Sequence, residues 1–276
     1  MKNQKIEGVM YKSIGEFCIY VIKFTKYTKA IGECMLKIDN LKKTFNKKIA
    51  LDGINLNVKK GEVFGFIGRN GAGKSTTIKS VLGFVFPDSG EMFFKDEPLD
   101  QSKFRESIGY LPEIAKFPEK LTAKEFLTYS YSFYKKITGA TRDKISQLLE
   151  DVGLKESKNK LINTFSKGMK QRLGIAQSVI HDPELLILDE PFTGLDPVGK
   201  DGLKKILIDQ NKEGKTIFFS SHNLTEVQDI CSVICTLHNG KVVYQGATSD
   251  FIKEQSSNSL EEAFIKSYSR SGGKDV

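Results

Sequence analysis

The sequence predicts an α/β protein. Its core is a mostly parallel sheet, with an antiparallel β subdomain near the N-terminus and a helical insertion subdomain at about 114–180. Three observations point to this class. The apolar runs EVFGFIG (62–68), LLILDEP (185–191) and TIFFSSH (216–222) read as strands buried on both faces. Segments with helix-capping signals separate these runs. Ahead of them, MLKIDNLKKTF (35–45) and IALDGINLNV (49–58) alternate with the two-residue period of half-buried strands.

Taken in order, the turn KKG at 59–61 joins the N-terminal strands to EVFGFIG, which runs into a helix near 74–85. GEMFF (90–94) and SIGYLP (107–112) read as short strands. Thr122 and Glu125 form a capping box before FLTYSYSFYKK. Thr141 is expected to cap RDKISQLLEDVG, whose Ile145, Leu148, Leu149 and Val152 share a face and whose Gly153 ends it. FSKGMKQRLG (165–174) opens a further helix, and Asp196-Pro197 starts another with an N-cap and a first-turn proline. Asn223 with Glu226 caps the helix after TIFFSSH, and a hairpin at Asn239-Gly240 joins VICTLH to KVVYQ. Ser259 and Glu262 cap a last amphipathic helix carrying Leu260, Ala263, Phe264 and Tyr268.

Residues 1–34 lack turn signals and clear period, and the patterning changes at Met35. The expectation is that Met35 is the natural start and 1–34 a mis-called or dispensable extension. Residues 35–246 then form the main domain and 247–276 a helical tail. A hydrophobic content of 39% with 28% charged residues describes a folded globular chain. No apolar run approaches the roughly 20 residues of a membrane span. FCIYVIKF (17–24) is short, carries Lys23 and lacks a cleavage site, so nothing marks the chain for export. Six Lys against three Glu in the first 34 residues account for part of the net charge of +8. Elsewhere opposite charges are interspersed, which describes a solvated surface, and no nucleic-acid partner is expected. Cys18, Cys34, Cys231 and Cys235 form no C-x-x-C pair. Cys231 and Cys235, four apart on what reads as one helix face, make no metal site with only three His in the chain. All four read as reduced thiols of a cytosolic protein.

The chemistry is concentrated in a few places. Gly68-Arg69-Asn70-Gly71-Ala72-Gly73-Lys74-Ser75 matches G-x-x-x-x-G-K-[ST] between an apolar strand and a helix. The glycines let Asn70, Gly71, Ala72 and Gly73 turn their amides inward as an anion nest, and the helix start through Thr76 adds positive charge. Lys74 is expected to reach the β- and γ-phosphates, and the Ser75 hydroxyl to bind Mg²⁺. The chain therefore reads as a P-loop NTPase. An isolated apolar strand ending in acids is common in α/β proteins. Beside a P-loop, Asp189 reads as a Mg²⁺ holder and Glu190 as a general base for the attacking water. Lys167, Lys170 and Arg172 surround Gly168 at a helix start, as if to face an anion; alone, they would read as a solvated basic loop.

The P-loop, FSKGMKQRLG, LLILDEP, GLDP (194–197) and His222 occur in the order and rough spacing of the ATP-binding-cassette (ABC) ATPases. The resemblance covers about 35–270. It implies that Ser166, Lys167, Gly168 and Met169 form the signature motif, which contacts ATP held by the P-loop of a partner ATPase subunit. It makes His222 the switch histidine on the γ-phosphate, where a lone His would otherwise read as core. Asp196 matches the D-loop that communicates across the dimer, although its N-cap role is a sufficient structural reason for Asp. Phe45 is placed like the adenine-stacking aromatic, with core packing the alternative. Glu113, in GYLPE, stands where many members carry a Q-loop Gln, and its carboxylate can still ligate Mg²⁺. Lys167 replaces the usual first Gly of the signature and Met169 the usual Gln.

These variations, with the closing SLEEAFIK, look like those of ABC-2-type exporter ATPases. The resemblance thus implies an ATPase that powers a separate membrane permease from the cytoplasmic face by ATP-driven dimer closure. An importer ATPase is the nearest alternative, followed by a soluble non-transport ABC ATPase. Part of the aromatic set Phe126, Tyr129, Tyr131, Phe133 and Tyr134 is expected to dock the permease.

Overall fold

The computed structural model describes residues 34–270 and four short stretches before them, 5–6, 9–10, 12–14 and 17–19. The chain divides into two units, Met1–Gly32 and Glu33–Val276. The N-terminal unit contains β1 (Lys5–Ile6) paired antiparallel with β2 (Val9–Met10), and β3 (Lys12–Ile14) paired antiparallel with β4 (Phe17–Ile19). Cys34, the last residue of the expected extension 1–34, begins a strand of the large unit; the extension otherwise lies outside the described residues, as do the last six residues of the expected tail.

In the large unit, β5 (Cys34–Phe45) and β6 (Lys48–Lys59) form a long hairpin. Its two-residue turn, Asn46-Lys47, has positive φ at both positions, as a hairpin with right-twisted strands favours. After β7 (Val63–Ile67) and α1 (Lys74–Val81), β8 (Ser89–Phe94) and β9 (Glu97–Pro98) complete a four-stranded antiparallel sheet in the order β6-β5-β8-β9. Next come α2 (Gln101–Ser107), β10 (Ile108–Leu111), α3 (Ala123–Ser132), α4 (Gly139–Asp151) and α5 (Lys167–Val179). The remaining elements are β11 (Leu185–Asp189), α6 (Pro197–Lys212), β12 (Thr216–Ser221), α7 (Leu224–Ile230), β13 (Val233–His238), β14 (Lys241–Ala247), α8 (Thr248–Glu254) and α9 (Leu260–Arg270). The main sheet runs β10-β11-β12-β7-β13-β14, parallel throughout except for the β13–β14 hairpin.

Every residue of β7, β11 and β12 is buried because both faces of the sheet are covered. The two-residue period divides each strand between two cores. Phe64, Phe66, Leu185, Ile187 and Phe218 face the antiparallel sheet, α1 and Phe104 of α2. Val63, Ile67, Leu186, Leu188, Ile217 and Phe219 face the helices of the other side. Phe64 and Phe218 stack across that first core with ring centroids 5.5 Å apart. Each such buried side chain contributes roughly 1.5–3 kcal/mol. β11, β12 and β7 are parallel neighbours, so their carboxyl ends open together on one edge, where ligands of such sheets usually bind.

Several local expectations need correction. Thr138, not Thr141, is the N-cap of α4; Thr141 sits buried at N3 and closes a reciprocal capping box with it. The helix expected near 74–85 stops at Val81 because Gly83, with φ of 72°, reverses the chain. There Gly83 N–H donates to the Ser80 carbonyl at 3.1 Å and Phe84 N–H to the Lys79 carbonyl at 2.8 Å, satisfying the last carbonyls. Cys231 follows α7 while Cys235 lies in β13, so the two do not share a helix face. Helix α2, capped by Asp100, adds an element that the sequence patterning does not announce.

Candidate active site

The site begins where β7 stops. Residues 68–73 form a loop that neighbouring backbone encloses. A Cβ on Gly68 would lie 2.6 Å from the Leu237 carbonyl oxygen, and one on Gly73 2.9 Å from that of Ala50. Gly73 also adopts φ of 113°, which a side chain would strain. Inside the loop Ala72 N–H donates to the Arg69 carbonyl at 3.1 Å, and Gly240 N–H of the β13–β14 turn donates to the Ala72 carbonyl at 2.9 Å. Gly73 offers no capping side chain, so the first-turn amides of α1 are open to an anion and the helix dipole favours one there.

The carboxyl ends of β7, β11 and β12 bring side chains together here. Lys74 is buried, and its Nζ donates to the Gly68 carbonyl at 2.6 Å while lying 3.5 Å from Glu190 Oε1. Ser75 Oγ donates to Asp189 Oδ1 at 3.4 Å. Ser220, beside Asp189 in the β11–β12 register, donates to the same oxygen at 2.6 Å and accepts the Glu190 N–H at 3.0 Å. Glu190 Oε2 sits 2.7 Å from His222 Nδ1 and accepts the His222 N–H at 3.3 Å. Glu190 itself adopts φ of 52°, a left-handed conformation that costs about 1–2 kcal/mol for a residue with a side chain. Burial and the nearby Asp189 charge push the Tyr110 phenol up to about 12, so it stays protonated beside the acids.

A cleft of about 480 Å³ lies over the loop, lined among others by Phe45, Arg69, Asn70, Gly71, Lys74, Ser75, Thr76, Glu113, Glu190, Thr193 and His222. Phe45 is 45% exposed and covered on one side by the Lys43 ammonium, 5.4 Å from the ring centroid, so it is not a core residue. Gly68, Ala72 and Asp189 are not among the lining residues; the Gly68 carbonyl accepts from Lys74 and the Asp189 carboxylate from Ser75, both of which line the cleft. With Ser75 and Asp189 the donor set is hard oxygen, which suits Mg²⁺. Among the described residues no cluster of three or more His, Cys, Asp or Glu is placed to hold a metal. A divalent cation here would therefore need further oxygens, such as those of phosphates.

Ser166, Lys167, Gly168, Met169 and Asp196 are not among the residues lining this cleft. Ser166 caps α5, its Oγ accepting the Met169 N–H at 3.2 Å. A Cβ on Gly168 would lie 3.2 Å from the Gly194 carbonyl oxygen, and the Lys167 stem covers Gly194. Gln171 Nε2 donates to the Pro191 carbonyl at 2.8 Å, which ties α5 directly to the chain after Glu190. Asp196 Oδ1 accepts the Gly199 N–H at 2.9 Å as the N-cap of α6. Sequence reasoning missed Ser220, Arg69 and Thr193. Ser220 is visible only through strand register, whereas Arg69 lies inside the glycine motif at a position the pattern leaves free.

The ABC transporter family model matches residues 51–193. An uncharacterized ABC transporter ATP-binding protein of Nostoc sp. is 40% identical over 76% of this chain, which spans 63% of that relative's length. The bacitracin transport ATP-binding protein BcrA of Bacillus licheniformis is 39% identical over 82% of this chain and 74% of its own. The lantibiotic transport ATP-binding protein SrtF of Streptococcus pyogenes is 41% identical over 76% and 90%. Among solved structures, the ATP-binding subunit of an ABC transporter superimposes with a TM-score of 0.78 at 30% identity, covering 84% of this chain and 99% of that one. A dimeric ATP-binding cassette in a post-hydrolysis state, bound to ADP and Pi, gives 0.71 at 25% identity over 77% and 98%. With the phosphate loop, the acid pair and the sheet that carries them, these matches establish that the chain belongs to the ABC transporter family and carries its ATPase domain.

Proposed function

We propose that this chain is the ATP-hydrolysing subunit of an ABC-2-type exporter. It works in a dimer, with a second copy or a related subunit, on a separate membrane permease at the cytoplasmic face. The observation that carries the reading is the meeting of Lys74, Glu190 and His222 in a cleft over an open helix N-terminus. Lys74 would exchange the Gly68 carbonyl for the β- and γ-phosphates of ATP. Glu190, released from Lys74, would take a proton from the attacking water on its carboxylate. His222, oriented through Nδ1 by Glu190, would present its other ring nitrogen to the γ-phosphate. Phe45 would stack on adenine, and the amides of Asn70 to Gly73, with Ser75 and Thr76, would hold the phosphates. Mg²⁺, when bound, neutralises charge developing on the phosphates. Ser75 and Asp189 would hold it, with Glu113 available at the cleft edge.

Ser166, Lys167, Gly168 and Met169 would contact the ATP of the partner subunit. Their position outside the chain's own cleft and at the N-terminus of α5 supports this role. Asp196, following Glu190 through the Pro191–Gly194 segment, would report across the dimer. Lys167, Met169 and Glu113 favour the ABC-2 exporter type, and the relatives named for bacitracin and lantibiotic transport accord with it. For the permease, a second cleft is lined by Phe84, Tyr110, Tyr129, Phe133 and Tyr134, with Phe84, Tyr129, Phe133 and Tyr134 exposed. Phe126 is buried and Tyr131 packs against the helical core, so only part of the aromatic set is free to dock.

The chain should be tagged in its native cells, extracted in mild detergent, and its co-purifying proteins identified by mass spectrometry. A stoichiometric multi-span membrane protein is expected. Recovery with ribosomes or DNA-bound proteins and no membrane subunit would overturn the transport reading and leave the ATPase standing.

A further inference from the structure

Helix α9 is amphipathic, and its first turn is anchored: Leu260 and Ala263 are fully buried, and Leu260 N–H donates to Gln228 Oε1 of α7 at 2.7 Å. One face continues as Phe264 and Tyr268, four residues apart and therefore neighbours on the helix surface. The Tyr268 ring is half-buried and contacts two other chain segments. His238, at the end of β13, lies against it with centroids 4.5 Å apart. On the phosphate loop, the Arg69 guanidinium stands 5.1 Å from the ring centroid, a cation–π distance.

Both segments shape the nucleotide cleft. Arg69 lines it, and the Arg69 carbonyl closes the loop's internal turn by accepting the Ala72 N–H. His238 leads into the Asn239-Gly240 turn, whose Gly240 N–H holds the Ala72 carbonyl from outside. The ring of Tyr268 thus touches a residue on each of the two strands of chain that frame Ala72. Arg69 is otherwise exposed, and the aromatic face gives its long side chain one preferred place.

We propose that Tyr268 is a positioning residue for ATP: through Arg69 it fixes the phosphate loop and its positive charge, so that the C-terminal helix sets nucleotide affinity. The proposal rests on the reading of the loop as the ATP site.

The full-length chain should be assayed for ATP hydrolysis as Tyr268→Ala, Tyr268→Phe, Arg69→Ala and the double alanine variant. In Tyr268→Ala the KM for ATP should rise two- to fivefold, equivalent to about 0.4–1 kcal/mol, with kcat changed less than twofold. Tyr268→Phe keeps the ring face and should retain the wild-type KM. Arg69→Ala, at an exposed position, should raise KM at least as much as Tyr268→Ala, and the double variant no further than Arg69→Ala alone. A wild-type KM in Tyr268→Ala would overturn the proposal, as would a Phe variant as weak as the Ala variant. Additive effects in the double variant would do the same. A wild-type chain that neither binds nor hydrolyses ATP would instead remove the reading on which the proposal rests.

Discussion

Ser220→Ala removes one oxygen from the seam between β11 and β12 and changes little else. That hydroxyl donates to Asp189 Oδ1 at 2.6 Å and accepts the Glu190 N–H at 3.0 Å, in a residue with no exposed surface. A hydrogen bond to a charged acceptor contributes about 1.5–3 kcal/mol and a neutral one about 0.5–1.5 kcal/mol. Alanine nearly fills the space of serine, so no cavity opens that could admit a replacing water. A loss of about 2–4 kcal/mol is expected, and at roughly 2–4 °C per kcal/mol for a domain of this size the melting temperature falls by about 4–16 °C. Asp189 also loses the donor that orients it toward Ser75, so the Mg²⁺ concentration giving half-maximal ATPase activity should rise severalfold. The assay is a thermal melt together with ATP hydrolysis titrated with Mg²⁺. Ser220→Thr, which keeps the hydroxyl, serves as the control. A melt within 1 °C of wild type and an unchanged Mg²⁺ titration would refute the argument.

Gly109→Ala tests the contact between β10 and α5, because a Cβ there would lie 1.9 Å from the Ser178 carbonyl oxygen and 2.7 Å from Leu186 Cδ2. Backbone on one side cannot yield, so a loss of at least about 1–3 kcal/mol is expected by chemical denaturation, and an unchanged midpoint would contradict the packing. His181 is buried, with Nε2 at 2.8 Å from the Ile108 carbonyl oxygen and its ring stacked on Tyr134. Burial holds its imidazole below the ordinary range, so the unfolded chain binds the proton more readily. Its contribution to stability is therefore complete above about pH 6.5 and lost as the pH falls below that value. His181→Gln should lose less stability than wild type between pH 7 and pH 5, and equal losses in denaturant titrations would contradict this.

Chemistry carried by residues adjacent in the chain is legible in the sequence itself. The phosphate loop needs its glycines and Lys74 within eight residues, and the doubly buried strands announce themselves as unbroken apolar runs. The Asn239-Gly240 turn likewise carries its own conformational requirement, positive φ at both positions. What depends on register is hidden. Ser220 is one of several serines in the sequence, and only its pairing with Asp189 makes it a support for the acids. The Thr138/Thr141 pair shows the limit of local rules, since two threonines three residues apart each satisfy the cap pattern. The burial of Thr141 decides between them. The Gly83 stop signal is present in the sequence, but the apolar residues Phe84 and Val85 beyond it extend the apparent helix. The contact from Tyr268 to Arg69 joins residues nearly 200 positions apart, and no periodicity reports it.

The most direct test of the account is Glu190→Gln in the purified chain, followed by ATP binding, turnover and light scattering with and without ATP-Mg²⁺. The amide keeps the shape of the side chain and removes its ability to take a proton. ATP binding should be retained, turnover should fall by roughly 10²–10⁴-fold, and a dimer should accumulate only when ATP-Mg²⁺ is present. Wild-type turnover, or a chain that stays monomeric at saturating ATP-Mg²⁺, would contradict the role given to Glu190 and the ATP-driven dimer built on it.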